Sequence, residues 1–365
     1  MKRESLLVLL VSEQTLPNIQ FLKWIDSQKK SEEYKILFIS TEKMEKKQKS
    51  GIILETAKLF AFNAISYDIR LVEENNFQTI PIIINDYDYS GYEHIFVNVT
   101  GSTKLVSIAA FQIFSQMNNT EIYYVPFQGN LQRIYPDTAY YTPSFITLKE
   151  CMSANNYEYI SNTECLKDFS FNKIFYDMCL RKNSGGLRAI TNMSNARKND
   201  DGTFDINALR SNKTKKYSYD DVQKAINIVK FCGFDPSHLK GKEIMFITGG
   251  WFEEYSYQII KDSFSLDEDS ISLNVKSKIK DVKNEFDVVF MDEKQVLHIV
   301  ECKALVGNSN YVPVIQDALF KLQAEKSKFG LKTKCHIFTK AEVQNENLNE
   351  RAKLYDIEIV DGSRI

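Results

Sequence analysis

The chain has 365 residues, of which 43% are hydrophobic and 26% charged, enough for two or three domains with substantial cores. Its 46 basic and 48 acidic residues leave a net charge of −2. That excludes a global positive field for nucleic acid, so any such partner must be held by a local patch. The apolar run near the N-terminus is too short for a signal segment, and no stretch reaches the roughly 18 apolar residues of a membrane span. No membrane partner and a cytoplasmic location are expected. The six cysteines (151, 165, 179, 232, 302 and 335) lack CxxC spacing. They read as free thiols in a reducing compartment, not as a zinc site or a disulfide framework.

Residues 1–150 alternate apolar runs with amphipathic segments. Strands are predicted at SLLVLLVS (5–12), YKILFIST (34–41), HIFVNVT (94–100) and EIYYVPF (121–127), with helical patterns such as Pro17–Ser27 and Thr103–Met117 between them. Continuous apolar strands separated by helices predict a doubly wound, parallel α/β domain. No GxGxxG is present, so an ordinary dinucleotide fingerprint is missing. Two strand-to-helix junctions carry small polar residues. One is SEQTLPN, with Ser12, Glu13, Gln14 and Thr15; the other is NVTGSTKLVS, with Asn98, Thr100, Gly101, Ser102, Thr103 and Lys104. In doubly wound sheets, ligands bind at the carboxyl ends of strands, where helix N-termini offer free N–H groups. Gly101, Ser102 and Thr103 would let amides approach a phosphate, and Lys104 would add charge. Helix capping by Thr100 or Ser102 is the plainer alternative.

Residues 151–240 are aromatic, Asn-rich and Lys-rich, with helices predicted at Asn172–Leu180 and Tyr219–Phe231. They read as a helical connector whose basic stretch SNKTKK (211–216) is a surface loop. From residue 241 the pattern becomes helix (248–262), three strands (271–278, 284–292 and 295–305), helix (Val314–Lys328) and strand (335–340).

The third of those strands, ending VLHIVECKA, carries Glu301 and Lys303 on one face and Cys302 on the other, because successive strand residues alternate. Charges on a buried strand form either a satisfied ion pair or a functional site. A three-residue turn centred on Lys294 would set Asp287 directly opposite Glu301, whereas a two-residue turn would bring Val300 there instead. Two facing carboxylates repel unless a cation lies between them, and hard oxygen donors without a His/Cys cluster suit Mg²⁺ or Mn²⁺ rather than zinc. Lys303 would then orient a water or stabilise charge on phosphorus. The preceding helix offers Glu253 or Glu254 as a further carboxylate; they point about 100° apart, so one faces the site, and Glu253 is favoured.

The series of a helical Glu, then Asp287, then Glu301-Cys302-Lys303 resembles the PD-(D/E)xK nuclease superfamily over residues 245–345. That resemblance implies a restriction-endonuclease-like domain with catalytic Asp287, Glu301, Lys303 and Glu253, and metal held by Asp287, Glu301 and the Cys302 carbonyl. It also places Gln323 where related nucleases carry a polar residue near the substrate or metal, although a surface Gln explains it equally. The two N-terminal junctions resemble those of CARF domains, Rossmann-like sensors of cyclic oligoadenylates in type III CRISPR immunity. Ser102 stands where such motifs carry a second Gly, a change tolerated unless φ is positive. Ser40, Thr41 and Gln128 lie where the same sheet edge would offer further contacts. Together the resemblances imply a sensor (1–150), a connector (151–240) and a nuclease (241–365). They further imply a homodimer activated by cyclic tetra-adenylate that cleaves single-stranded DNA and RNA. Rival readings are a restriction- or repair-type endonuclease with a nucleotide-binding regulator, and a non-catalytic cyclic-nucleotide-responsive protein.

Overall fold

Strand β1 (Glu4–Leu10) is buried along almost its whole length, as a strand covered on both faces must be. It lies in the interior of a seven-stranded sheet with β2 (Glu33–Ser40), β3 (Ala64–Leu71), β4 (His94–Asn98), β5 (Thr120–Tyr124), β6 (Leu131–Tyr135) and β7 (Ala139–Tyr141), in the order β3-β2-β1-β4-β5-β6-β7. The first five in that order pair in parallel, and β6 and β7 add an antiparallel edge. Leu6, Val8 and Leu10 share one core with Ile80 and Ile84 of α4 (Thr79–Asn85) and with Val106, Ala109 and Phe114 of α5 (Lys104–Phe114). Leu7 and Leu9 alternate to the other face. The remaining helices of this part are α1 (Leu16–Gln28), α2 (Glu42–Lys46), α3 (Lys49–Ala57) and α6 (Leu148–Ala154).

The computed structural model describes residues 4–28, 33–62, 64–126, 129–180, 189, 203–206, 218–304, 311–330, 333–340 and 342–361. Gln128 and the basic stretch 211–216 lie outside the described residues. The chain divides into two units: Met1–Tyr159 with Lys278–Val282 and Glu293–Gln295, and Ile160–Ser277 with Lys283–Asp292 and Val296–Ile365. Among the described residues no helix is long and apolar enough to cross a membrane.

A second, six-stranded sheet has the order β13-β12-β11-β10-β9-β8, formed by β8 (Glu158–Thr163), β9 (Ile271–Ile279), β10 (Val282–Met291), β11 (Leu297–Lys303), β12 (Lys334–Thr339) and β13 (Ile357–Asp361). β10 and β11 are antiparallel, while β11, β12 and β13 run in parallel. Among the described residues its α-helices are α7 (Phe169–Leu180), α8 (Tyr219–Phe231), α9 (Gly241–Met245), α10 (Trp251–Ser263), α11 (Val312–Phe329) and α12 (Glu346–Leu354). The expected connector supplies part of the core here. Phe175 and Tyr176 of α7 and Val222, Ile226 and Val229 of α8 are buried in one cluster with Trp251, Phe252, Val288 and Val300. Phe175 meets the Trp251 ring edge-on at 5.2 Å, and Tyr176 stacks on Tyr255 at 4.5 Å. The helix predicted from residue 248 begins at Trp251, after a π-turn at Phe246–Gly250 whose Gly249 leaves helical geometry.

Candidate functional site

The β10–β11 hairpin fixes the geometry that matters. Val288 pairs with Val300, Val289 with Ile299, Phe290 with His298 and Met291 with Leu297. At its tip the Asp292 amide donates to the Val296 carbonyl at 3.1 Å, leaving a three-residue loop centred on Lys294. Gln295 closes that loop at φ 57°, the left-handed residue that such loops use. Continued one step, the register brings Asp287 opposite Glu301. Asp287 Oδ2 accepts from the Cys302 amide at 2.7 Å, which pins its carboxylate at the end of β11.

Glu301 is only 5% exposed, yet it is doubly paired. Lys303 Nζ lies 2.6 Å from its Oε1, and Lys321 Nζ, from α11, lies 2.6 Å from its Oε2. Lys303 Nζ also stands 3.9 Å from Asp287 Oδ2. Burial, and then the nearby Glu301 and Glu253 carboxylates, push Asp287 up to about 8. Burial acts the same way on Glu301 but is outweighed by the two ammonium groups, so its carboxyl ends below the usual range. Burial depresses Lys303 too, and is outweighed by Glu301 and Asp287, so this ammonium holds its proton more firmly than a free lysine. The Cys302 thiol, fully buried, is pushed well up by burial and by Asp287, which makes it inert as a nucleophile.

Glu253 and Glu254 part as helical geometry requires. Glu253, half-buried, acts electrostatically on Asp287 and Cys302. Glu254 turns away and accepts from the Leu166 amide at 2.8 Å, the Lys167 amide at 3.1 Å and Asn172 Nδ2 at 3.3 Å. Glu254→Ala is therefore expected to destabilise the fold by about 3 kcal/mol, by stranding buried donors. Denaturant unfolding measures this, and a loss below about 1 kcal/mol would show that water replaces the carboxylate.

Gln323 is exposed on α11, and Lys321 is the residue of that helix that reaches Glu301. The two flank the buried Leu322 by about 100° on opposite sides, so the helix presents one or the other to the strand. Among the described residues no group of three or more His, Cys, Asp or Glu side chains is arranged to hold a metal. The oxygen donors present, Asp287 and Glu301 with the Cys302 carbonyl, suit a hard divalent cation in kind. Two ammonium groups, those of Lys303 and Lys321, already pair with Glu301.

In the first unit, β1 and β4 are adjacent, and the chain leaves them for β2 on one side and β5 on the other. The loops after them therefore flank the topological switch point of the sheet. A buried polar network ties the loops together. Asn98 Nδ2 donates to Asn18 Oδ1 at 2.8 Å, and Asn18 Nδ2 to the Leu10 carbonyl at 3.0 Å. Thr100 Oγ1 donates to Asn98 Oδ1 at 2.6 Å and accepts from the Val125 amide at 2.7 Å. Gly101 passes so close to β1 that a Cβ there would lie 1.9 Å from the Leu10 carbonyl oxygen.

Helix α5 begins without a side-chain cap: its N-cap residue Thr103 donates to the Glu74 carbonyl at 3.2 Å instead. Its N-cap side chain thus leaves the first-turn N–H groups uncapped. Ser102 does take φ 68°, the region that favours glycine, and its buried hydroxyl has no hydrogen-bond partner among the described residues. Lys104 is exposed beside them. Ser12 Oγ donates to the Gln14 carbonyl at 2.9 Å, and Glu13 pairs with Lys47 at 2.6 Å and Lys49 at 3.3 Å.

Several expected ligand contacts are turned inward. Thr15 is buried and donates to the Ala154 carbonyl, Ser40 is buried and donates to Glu45, and Asn98 is wholly enclosed. Thr41, also buried, caps α2 by accepting from the Met44 amide at 3.3 Å. These four shape the loops rather than line them.

Residues 6–157 match the Card1 CARF domain family, and residues 241–365 match the endonuclease domain family described as Card1-like. Can2 from Sulfobacillus thermosulfidooxidans in complex with cyclic tetra-adenylate is similar in fold, with a TM-score of 0.68 and 18% identity over 97% of this chain and 95% of that one. A type III CRISPR defence DNA nuclease activated by cyclic oligoadenylate aligns at a TM-score of 0.55 and 12% identity, over 93% of this chain and 46% of that one. The chain thus spans about half the length of that second protein. No curated protein sequence matches. At these identities the likeness to solved structures shows a shared fold, and the two domain families assign the parts. Residues 6–157 thus form a domain of the Card1 CARF family, and residues 241–365 a domain of the Card1-like endonuclease family.

Proposed function

We propose that this protein is a nuclease switched on by a cyclic oligoadenylate, cyclic tetra-adenylate first among them, and that it cleaves single-stranded DNA and RNA in type III CRISPR antiviral defence with Mn²⁺ or Mg²⁺. The observation that carries this reading is the meeting of Asp287, Glu301 and Lys303 at the end of β11, with Lys303 Nζ within 4 Å of both carboxylates. It is the residue set of a PD-(D/E)xK centre. Asp287, Glu301 and the Cys302 carbonyl would hold the cation, which when bound supplies Lewis-acid charge and a more acidic water. Lys303, kept cationic by its two carboxylate neighbours, stabilises charge developing on phosphorus. Glu253 adds negative charge at the rim and orients water.

On the sensor side, the uncapped first turn of α5, the Gly101 approach, the Ser102 hydroxyl and Lys104 offer N–H, O–H and ammonium groups to the phosphates of the messenger. Ser12, Glu13 and Gln14 contribute from the loop after β1. Supporting this ligand is the bound cyclic tetra-adenylate of Can2, the similar structure. We place the active form as a homodimer, because a two-fold ring makes its full contacts only when two sensor domains close on it. A ligand shifts such an equilibrium by its differential affinity for the two states.

The test incubates full-length protein with labelled single strands, Mn²⁺ and cyclic tri-, tetra- or hexa-adenylate in turn. Cleavage is expected with the tetra-adenylate and not without it, and is expected to stop on chelation of the metal. Equal cleavage with and without all three rings would defeat the sensor reading; full activity in chelator would defeat the metal reading.

A further inference from the structure

Glu301 has an ammonium group on each oxygen, so a cation binding this carboxylate competes with both. The two lysines are not equivalent. Lys303 lies on the same strand face and sits between Glu301 and Asp287, with 26% of its side chain exposed. Lys321 enters from α11, has Glu301 as its carboxylate partner, and leaves 38% of its side chain in solvent. No motif in the sequence points to it.

We propose that Lys321 is a displaceable cation. In the metal-free protein it holds Glu301 Oε2; when a divalent ion binds, it gives up that oxygen and offers its ammonium to a phosphate of the nucleic-acid strand. The inference rests on the nuclease reading above.

Three physical points support it. A divalent ion interacts with a carboxylate oxygen about twice as strongly as a monovalent ammonium at equal distance, and it repels an ammonium held beside it. The cation that leaves should be the one ion-paired with a single carboxylate among the described residues and more open to water, and this is Lys321. Its flexible four-carbon stem with three rotatable donors lets the head swing outward without moving the helix. Finally, three carboxylates (Asp287, Glu301 and Glu253), two ammonium groups and one divalent ion leave a single positive charge in excess. One phosphodiester neutralises it. Keeping Lys321 at the site in the resting protein also gives the second oxygen of the buried Glu301 a cationic partner beside Lys303 on the first.

The test compares full-length Lys321→Met and Lys321→Arg with the unaltered protein by two readouts. The first is calorimetric titration with Mn²⁺ alone, without messenger or nucleic acid. Lys321→Met is expected to bind Mn²⁺ roughly fivefold tighter or more, since no ammonium has to leave. The second is cleavage of labelled single-stranded DNA with Mn²⁺ and cyclic tetra-adenylate, where kcat/KM is expected to fall roughly tenfold or more in Lys321→Met. Lys321→Arg should recover part of the cleavage and lose the gain in metal affinity. A merely structural ion pair would not tighten metal binding when removed. Unchanged or weaker Mn²⁺ affinity in Lys321→Met overturns the proposal, and so does unchanged kcat/KM. Glu301→Gln, titrated alongside, separates the two levels: if it binds Mn²⁺ as the unaltered protein does, the metal is not at this carboxylate and the nuclease reading itself fails.

Discussion

Glu301→Gln is expected to lower cleavage by roughly a thousandfold or more, about 4 kcal/mol of transition-state stabilisation, while cyclic tetra-adenylate affinity stays within about twofold of the unaltered protein. The substitution keeps volume and planarity, so its effect isolates charge. With the carboxylate gone, the site keeps two ammonium groups, Lys303 and Lys321, that were each 2.6 Å from a Glu301 oxygen. Positive charge then repels the divalent ion that the neighbouring Asp287 would otherwise help to hold. Removing one partner of a buried ion pair also costs on the order of 3–5 kcal/mol of stability, so thermal unfolding must be read beside activity. Messenger binding supplies the control, because the loops that offer contacts to it belong to the first unit. A Glu301→Gln protein that binds messenger and still cleaves within about tenfold of the original would move the chemistry elsewhere.

The register that makes this site is legible in the amino-acid order itself, because a hairpin centred on Lys294 pairs Val288 with Val300 and leads to Asp287 facing Glu301. Residue counting suffices where one loop length fixes every pair. The apolar strands β1, β2, β4 and β5 are equally plain, being largely buried on both faces. Strand β3 is not. It is an edge strand whose alternation is inverted, with the apolar Tyr67, Ile69 and Leu71 exposed on one face and Asp68 and Arg70 on the other, so no continuous apolar run marks it. Helix α12 and strand β13 escape for a similar reason: α12 buries only Leu348 and Ala352 in a largely polar sequence. The helices of residues 151–240 are visible as helices, yet their place is not. Phe175 and Val222 find their partners, Trp251 and Phe252, only in the folded core, and sequence separation conceals such pairs.

Site residues divide along the same line. Motifs announce side chains that come from one short stretch, such as Glu301 and Lys303, or Gly101 to Lys104. Lys321 comes from a separate helix, and its phase relative to Leu322 decides whether it or Gln323 reaches the strand. Periodicity identifies the buried stripe but not which flank the sheet will face. Likewise Thr15, Ser40, Thr41 and Asn98 look like ligand contacts by type and position, whereas burial makes them braces for the loops. Small polar residues at strand ends serve both purposes, and the hydrogen-bond partners each one finds separate them.

Gly101→Ala is expected to abolish activation by cyclic tetra-adenylate at concentrations that saturate the unaltered protein. The added Cβ would sit 1.9 Å from the Leu10 carbonyl oxygen and 2.9 Å from its carbon, both backbone atoms that no rotamer change can clear. Either β1 or the loop after β4 must shift. The Leu10 carbonyl also accepts from Asn18 Nδ2 at 3.0 Å, and Asn18 is bound to Asn98 at 2.8 Å, so a shift at Gly101 disturbs the network that sets both loops. Overpacking of this kind costs about 1–3 kcal/mol, borne where the messenger is proposed to bind. The uncapped first turn of α5 starts just after Gly101, and a displacement of even about 1 Å spoils hydrogen bonds that need roughly 2.7–3.2 Å. Gly51→Ala is the matched control: it lies within α3 with nothing within 4 Å of the new methyl, and helix propensity favours the change. Calorimetry with cyclic tetra-adenylate and messenger-dependent cleavage should both collapse in Gly101→Ala and persist in Gly51→Ala. Normal messenger affinity in Gly101→Ala would place the ligand away from the β1 and β4 loops, because no arrangement of this junction accepts the methyl without moving them.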